Sequence, residues 1–369
     1  MEKNKELVIF IPSIEGGGVE KNLFLISKYL KKKIKTIHII TYDSKFKKKL
    51  QNIKITNPKL KIKNTNNRKI KYFFCLIQLI KLIIKNKNLL IFSFQANIYC
   101  AIVCKIFKIR IVARLNSSPS GWSKNIIKEI IFHYFYKNID KIIVNSAEFQ
   151  REMRVKFKVK TEMIYNPLNL KEIKKQSKIK FKFKFFDDSL RYLKIINIGR
   201  LVSQKNQMML LKSINDLKKK IKIKALIIGS GKQKNSMQNY INKNNLKNIV
   251  KIIVFQKNPY KYINKSDLLV STSNYEGLPN VLLEAASLKK LIISTDCPTG
   301  PKEILSNGKG GILTKVDDFN QLSNKILYIK SHKKECNKKI NYAYKNLDRF
   351  SYKKNMSRYY TLIHKYLKN

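Results

Sequence analysis

Two carboxylates stand close together in a chain with few acids. Glu276 and Glu284 are separated by seven residues in "SNYEGLPNVLLEAASL", and the chain has 23 Asp and Glu against 78 Lys and Arg. Pro279 suits the first turn of a helix, which would put Glu276 in the preceding loop and Glu284 in the second turn. The N–H groups near Gly277 and Leu278 would then form an anion site. Carboxylates beside an anion site are costly unless each binds something, and sugar hydroxyls are suitable donors.

Two cations follow an apolar run upstream, in "NIGRLVSQKN". Arg200 and Lys205 would lie just beyond a strand, where they suit an anionic ligand such as a diphosphate. In so basic a chain, a pair of this kind also occurs by chance.

A glycine-rich stretch, "SIEGGGVEKN", follows the apolar run "LVIFIP" and opens an amphipathic helix pattern. Such a turn lets a phosphate approach the backbone. The dinucleotide-binding fingerprint fails, because Lys21 stands where the third glycine belongs, and no Gly-Lys-Ser/Thr triplet follows. A plain tight turn therefore remains the alternative.

The net charge of +55 could indicate nucleic-acid binding. However, the lysines are spread along the whole chain and no recognition motif is present, so we favour drift in an A+T-rich genome as the explanation of the charge. An attraction to anionic surfaces follows in either case. The five cysteines form no Cys-x-x-Cys pair and the four histidines are scattered, which indicates a reducing cytoplasm and no metal cluster. The N-terminus does not resemble a signal peptide.

Short apolar strands alternate with helical stretches throughout, which predicts parallel sheets covered by helices on both faces. We predict strands at 7–11, 35–41, 89–94, 109–114, 141–145 and 162–165 in the first half. The second half repeats the pattern with "LKIINIG", "KALIIG", "VKIIVF", "DLLVSTS" and "LIISTD". The fold class is therefore α/β, with two Rossmann-like doubly wound domains facing a central cleft. The predicted boundaries are 1–168, a linker at 169–189, 190–345, and a C-terminal helix at 346–369 that returns to the first domain.

The Glu-x7-Glu after a Ser/Thr-rich strand end, the Gly-Arg…Lys stretch and the glycine-rich first loop together resemble the retaining glycosyltransferases of family four, which have the GT-B fold. The segments "EGLPNVLLEAASL" and "STDCPTGPKEIL" are specific to that resemblance, which covers nearly the full chain. With "FQKNPYKYI", they look most like members that extend bacterial surface glycans.

The resemblance implies roles for particular residues. Gly17 and Gly18 match glycines that admit the donor's diphosphate, and Arg200 with Lys205 match cations that bind it and stabilise the leaving group. Glu284 matches the acid that binds the nucleotide's ribose, and Glu276 the acid near the transferred sugar. Gly277 and Leu278 would contribute backbone N–H groups. The base would meet backbone groups of Val254–Lys257.

One departure from the family pattern concerns a His that usually contacts the donor sugar after the strand reading "VARLNSSP". This chain has Arg114 and Asn116 there, and Asn116 could donate a hydrogen bond in its place. Asn280 is a further candidate for contact with donor or acceptor.

The resemblance implies transfer of a sugar, with retention, from a nucleotide-diphosphate donor such as a UDP-sugar to a glycan or lipid-linked acceptor. It implies no metal and no other cofactor. The alternatives are another GT-B enzyme, such as a sugar-nucleotide epimerase, and a non-catalytic basic binding protein.

The segment 68–87 predicts a helix with Lys71, Gln78, Lys81 and Lys85 along one narrow side. Its wide apolar arc suits either packing in a core or contact with an anionic lipid surface. The second alternative would hold the protein at the inner face of the cell membrane.

Overall fold

The computed structural model describes residues 5–44, 50, 52–58, 65, 67–117, 126–186 and 192–368. The chain divides into two compact units. The first comprises Met1–Pro167 with Lys353–Asn369, and the second comprises Leu168–Tyr352.

The first unit has a seven-stranded sheet in the order β3-β2-β1-β4-β5-β6-β7, with every pair parallel. Its strands are β1 Glu6–Phe10, β2 Ile37–Ile40, β3 Lys54–Thr56, β4 Leu89–Ser93, β5 Arg110–Arg114, β6 Lys141–Val144 and β7 Thr161–Met163. The helices between them are α1 Gly18–Lys31, α2 Arg68–Lys85, α3 Asn97–Ile106, α4 Ile126–Lys137 and α5 Ala147–Phe157.

The second unit has a six-stranded parallel sheet in the order β10-β9-β8-β11-β12-β13. Its strands are β8 Leu193–Ile198, β9 Ile223–Ile228, β10 Val250–Ile253, β11 Leu268–Ser271, β12 Leu291–Thr295 and β13 Ile312–Thr314. Its helices are α6 Leu170–Ser177, α7 Gln207–Leu217, α8 Lys234–Lys243, α9 Tyr260–Lys265, α10 Asn280–Ser287, α11 Pro301–Ile304, α12 Phe319–Ser331 and α13 Lys333–Lys345. The last helix of the chain, α14 Tyr352–Lys368, returns almost entirely to the first unit.

Burial explains why these strands form. β4 and β12 are buried at every position, because helices cover both faces of a parallel sheet and its strands read as continuous apolar runs. The predicted α/β class with two doubly wound sheets is confirmed. The short strands β3 and β13 were not predicted, whereas the equally short β7 was predicted at 162–165.

The segment that the sequence suggested as a linker, 169–189, is described up to residue 186. It contains α6, and Asn258 donates from Nδ2 to the carbonyl oxygen of Gln176 at 2.9 Å. Phe181 packs edge-on against Tyr262 with ring centroids 4.8 Å apart. This segment therefore packs on α9 within the second unit.

The lysine arrangement predicted for α2 is wrong at one position. Lys71 is only 6% exposed, and its Nζ lies 2.9 Å from Asp43 Oδ1. The helix packs on the core through the turn-spaced residues Cys75, Leu79 and Ile83. Lys71 faces inward with them because its ion pair compensates the cost of burying a charge.

The strand order reverses between β1 and β4 in the first sheet and between β8 and β11 in the second. Beyond the carboxyl ends of such neighbouring strands the loops diverge and leave a crevice, where ligands bind in open α/β sheets. The glycine-rich loop follows β1. The Arg200–Lys205 stretch follows β8, and the loop with Glu276 follows β11. Each sheet therefore places these loops at its own switch point.

Candidate active site

Hydrogen bonds join the two loops at the switch point of the second unit. Thr272 Oγ1 donates to the carbonyl oxygen of Lys205 at 3.0 Å, and the N–H of Asn274 donates to that of Gln204 at 2.8 Å. Gln204 Nε2 in turn donates to the carbonyl oxygen of Tyr275 at 3.0 Å. The loops after β8 and β11 are thus one connected structure rather than two independent segments.

Lys205 and Glu276 form an ion pair within this structure. Lys205 Nζ contacts Glu276 Oε1, and Ser273 Oγ donates to the same oxygen at 2.6 Å. The exposed fractions of the Lys205 and Glu276 side chains are 20% and 8%. The pair is therefore largely withdrawn from water but keeps a solvent-facing side, where the ammonium can meet a ligand.

Arg200 lies in the same loop and is exposed. Its carbonyl oxygen accepts a hydrogen bond from Nε2 of the fully buried Gln207 at 3.1 Å. Its Nη2 lies 3.4 Å from Gln204 Oε1. The backbone at Arg200 is fixed while its guanidinium reaches the surface, which suits recognition of an anion from solvent.

α10 begins at Asn280 with Pro279 as its N-cap, so Glu276 precedes the helix and Glu284 lies in its second turn, as predicted. Glu284 is buried, at 5% exposure. Asn280 occupies the first turn, but its contact with a donor or acceptor stays a prediction.

A second loop braces the segment before α10. The Glu276 N–H donates to the carbonyl oxygen of Pro298 at 2.6 Å, and Thr299 Oγ1 donates to that of Gly277 at 3.1 Å. Gly300 has φ +90°, and a Cβ there would lie 2.1 Å from the Gly277 oxygen. Only glycine permits this approach. The backbone of Gly277 and Leu278, which is predicted to help bind an anion, is therefore fixed by its contacts with the loop that contains Thr299 and Gly300.

The segment Val254–Lys257 follows β10 at the carboxyl edge of the same sheet. Val254 and Phe255 are 57% and 53% exposed. This places backbone and apolar surface on the side of the sheet where a base was predicted. The base contact itself stays a prediction.

Cys297 is buried close to Glu276. Burial raises the pKa of its thiol to about 12, with the negative charge of Glu276 acting in the same direction. A thiol with such a pKa stays protonated at neutral pH, so Cys297 fills space and does not supply a nucleophile.

The glycine-rich loop of the first unit is anchored on three sides. The Ser13 N–H donates to Gln95 Oε1 at 3.0 Å, and Gln95 Nε2 donates to the carbonyl oxygen of Ser13 at 2.9 Å. The Ile14 N–H donates to Asp43 Oδ2 at 2.8 Å, and Arg68 Nε donates to Glu15 Oε1 at 2.6 Å. These contacts fix the loop before α1 begins.

Two features explain the glycines locally. Gly16 has φ +88°, and a Cβ on Gly17 would lie 3.1 Å from Glu20 Oε2. Glu20 is 4% exposed and accepts a hydrogen bond from the Glu15 N–H at 3.2 Å. This carboxylate lies at the N-terminus of α1, which begins at Gly18. Negative charge already occupies that end, so the diphosphate role of Gly17 and Gly18 stays a prediction.

Arg114 is fully buried at the carboxyl end of β5. Its Nε donates to Tyr359 Oη at 2.9 Å, its Nη2 donates to Asn166 Oδ1 at 2.6 Å, and its Nη1 contacts Asn116 Oδ1. Asn116 Nδ2 donates to the carbonyl oxygen of Phe94 at 2.7 Å. Arg114 therefore acts as a cross-link that joins β5 to α14. Its contact with a donor sugar, and that of Asn116, stay predictions.

The sequence interpretation missed several residues that position the candidates. They are Ser273 and Gln207 in the second unit, and Glu20, Asn166 and Tyr359 in the first. Glu20 carried a signal, because an acid three residues after an N-cap is typical of a helix start. Asn166 and Tyr359 showed none, since their partner Arg114 is 52 and 245 residues away. Ser273 and Gln207 have partners three and seven residues away, but neither contact belongs to a capping or turn pattern that the sequence displays.

Across the described residues, no group of three or more His, Cys, Asp or Glu side chains could hold a metal ion. The same residues contain no helix with the length and apolar character needed to cross a membrane.

Comparison with known proteins gives two family matches that together span most of the chain. A model described as Glycosyltransferase Family 4 matches residues 16–172, and one described as Glycosyl transferases group 1 matches residues 177–346. The uncharacterized glycosyltransferase MJ1059 of Methanocaldococcus jannaschii is 36% identical over 57% of this chain and 58% of its own length.

A second relative, from Campylobacter jejuni, is named N-acetylgalactosamine-N,N'-diacetylbacillosaminyl-diphospho-undecaprenol 4-alpha-N-acetylgalactosaminyltransferase. It is 26% identical over 86% of this chain and 88% of its own. The crystal structure of Anabaena Alr3699/HepE with UDP and glucose superposes with a TM-score of 0.77 at 17% identity, covering 99% of both chains. That likeness shows the GT-B fold. The two family matches follow one another along the chain and meet near the boundary between its units, so the chain belongs to the group 1, family 4 glycosyltransferases.

Proposed function

We propose that this protein transfers a sugar from a nucleoside diphosphate donor, such as a UDP-sugar, to a hydroxyl of a lipid-linked glycan, with retention of the anomeric configuration. The observation that carries the proposal is the Lys205–Glu276 pair beside the exposed Arg200 at the switch point of the second unit. It combines cations for a diphosphate with a carboxylate for sugar hydroxyls.

In this reaction the bond between the anomeric carbon and the diphosphate oxygen breaks as the acceptor oxygen bonds to the same carbon. Negative charge develops on the leaving diphosphate, where Lys205 and Arg200 would stabilise it. The acceptor hydroxyl's proton passes to the leaving phosphate oxygen on the same face, so no separate base is required. Glu284 would bind the ribose hydroxyls and Glu276 the hydroxyls of the transferred sugar.

Two similarities support the choice of substrates. The Campylobacter relative's name specifies a diphospho-undecaprenol acceptor, and the Anabaena protein was crystallised with UDP-glucose. A lipid-linked acceptor would place this protein at the inner face of the cell membrane, as a peripheral protein.

The test is a screen of nucleotide sugars for hydrolysis, followed by transfer to lipid-linked and free acceptors. Release of a nucleoside diphosphate and a glycosylated product support the proposal. Binding of a donor without release would favour the non-catalytic alternative. An epimerised sugar nucleotide would favour the epimerase.

Two further measurements test the mechanism. We expect turnover to survive excess chelator, because Arg200 and Lys205 supply the positive charge. Loss of turnover that manganese or magnesium restores would contradict this. We also expect an α-linked product from an α-linked donor. An NMR coupling constant of the anomeric proton that indicates a β linkage in the product would exclude retention.

A further inference from the structure

The outer surface of α2, α3 and α4 carries large apolar side chains that face solvent. Their exposed fractions lie between 55% and 70%, and they are Phe73 and Ile84 on α2, Tyr99 and Ile106 on α3, and Ile130 and Tyr134 on α4. Isolated exposed apolar residues are normal, but several on neighbouring helices mark an interaction surface.

These helices form one continuous layer. α2 packs beside α3, and α3 packs beside α4. Lys105 Nζ on α3 donates to Tyr134 Oη on α4 at 2.9 Å and lies 4.6 Å from the centre of its ring. Phe73 and Ile84 are three helical turns apart and thus lie on one side of α2. The exposed residues therefore belong to one surface.

The surface is basic as well as apolar. Lys69, Lys81, Lys85, Lys105 and Lys108 are exposed on it or at its helix ends. Between Asp43 and Glu129 the sequence contains no acid, although a stretch of that length would carry about five at the chain's average of 23 in 369 residues. Glu129, on α4, lies 3.4 Å from Lys156 on α5. Compositional drift raises lysine everywhere, but it does not account for this local exclusion of acids.

We propose that the outer surface of α2, α3 and α4 binds an anionic lipid bilayer, with its apolar side chains in the interface and its lysines on the headgroups. A second copy of the chain is a poorer occupant, because a two-fold interface would bring like charges together. Nucleic acid would leave the isoleucines without apolar partners. An anionic bilayer offers apolar contact to the exposed apolar side chains and negative headgroups to the lysines.

The same helix connects this surface to the glycine-rich loop. Arg68, at the start of α2, donates to Glu15, and Lys71 pairs with Asp43, which accepts from the Ile14 N–H. Lipid binding would thus hold the loop at a fixed place relative to the membrane. This proposal deepens the proposed function, since a lipid-linked acceptor resides in that membrane.

Flotation with vesicles of phosphatidylglycerol and phosphatidylcholine tests the surface. We expect the wild-type protein to bind at low salt and not to bind vesicles of phosphatidylcholine alone. Ile84→Ser with Ile106→Ser should weaken binding at least tenfold, from lost apolar contact. Lys81→Glu with Lys85→Glu should weaken it about 25-fold or more, at about fivefold for each lysine lost.

Matched controls lie in the second unit. Ile179→Ser removes an isoleucine that is 48% exposed, and Lys333→Glu with Lys334→Glu reverses two exposed lysines. Both should bind vesicles as the wild type does. Circular dichroism and donor hydrolysis in the absence of lipid should be unchanged in every variant, because none alters the candidate active site.

The proposal is overturned if the wild-type protein does not float with anionic vesicles at low salt. It is also overturned if the α2 and α3 variants bind as tightly as the controls. If only the α2 and α3 variants lose vesicle binding, the lipid-binding surface is supported, whatever the protein's activity. If the same protein turns over no nucleotide sugar, the proposed transferase function is refuted while the lipid-binding surface stands.

Discussion

Replacement of Lys205 by methionine should lower both stability and turnover, for separable reasons. Methionine keeps an unbranched chain of similar length but removes the charge. It leaves the Glu276 carboxylate 8% exposed with Ser273 Oγ as its hydrogen-bond donor. Breaking a buried pair costs about 3–5 kcal/mol. Because Lys205 retains 20% exposure, we expect about 2–3 kcal/mol, or a fall in melting temperature of about 4–12 °C.

The effect on turnover should be larger than this destabilisation explains. Loss of a charge partner for the leaving diphosphate should lower kcat by about 10²–10³-fold. The double variant Lys205→Met with Glu276→Gln removes both charges, so it should regain stability to within about 1 kcal/mol of the wild type. It should not regain activity, because the cation for the diphosphate is still missing.

A matched control is the Lys220–Asp216 pair on the surface of the same unit, at 2.7 Å with exposed fractions of 50% and 33%. Lys220→Met should cost about 0.3–0.5 kcal/mol, and turnover should not change. Thermal unfolding and donor hydrolysis measure the two effects. Near wild-type turnover in Lys205→Met, or recovered activity in the double variant, would refute the assigned role of Lys205.

Three further predictions concern the same unit. Arg200→Ala should lower kcat by about 10²–10³-fold with little change in melting temperature, since the side chain is exposed. A fall in melting temperature large enough to explain the loss of activity would contradict this. Gly300→Ala should destabilise by more than the about 1–3 kcal/mol of backbone strain alone, because its Cβ would lie 2.1 Å from a carbonyl oxygen. Gly308→Ala is the control, because Gly308 has φ +88° but a Cβ there would lie no closer than 3.9 Å to the atoms around it. Equal urea unfolding midpoints for the two variants would refute the clash at Gly300. Cys297 should not react with Ellman's reagent at pH 8, where a thiol with a pKa near 12 is protonated, and rapid labelling of the native protein would show that the thiol is accessible.

The sequence determined the secondary structure that carries the site. Strands buried on both faces read as apolar runs, so β1, β4, β8, β11 and β12 were predicted close to their observed bounds. The placement of Glu276 before a helix and Glu284 in its second turn followed from Pro279 and local spacing. Both inferences succeed because the information is local: a continuous apolar run for a strand buried on both faces, and the position of Pro279 for the start of the helix.

Only the tertiary structure decided which side chains meet. Lys205 and Glu276 are 71 residues apart, and their contact depends on β8 and β11 being neighbours at a switch point. Lys71 looked like a solvent-facing lysine until Asp43, from the loop after β2, was seen to pair with it. Arg114, whose contact with a ligand stays a prediction, is buried against Tyr359, 245 residues away. Residue type and spacing describe what a side chain can do, but its partners are set by strand order and by the packing of distant segments, which no local pattern records.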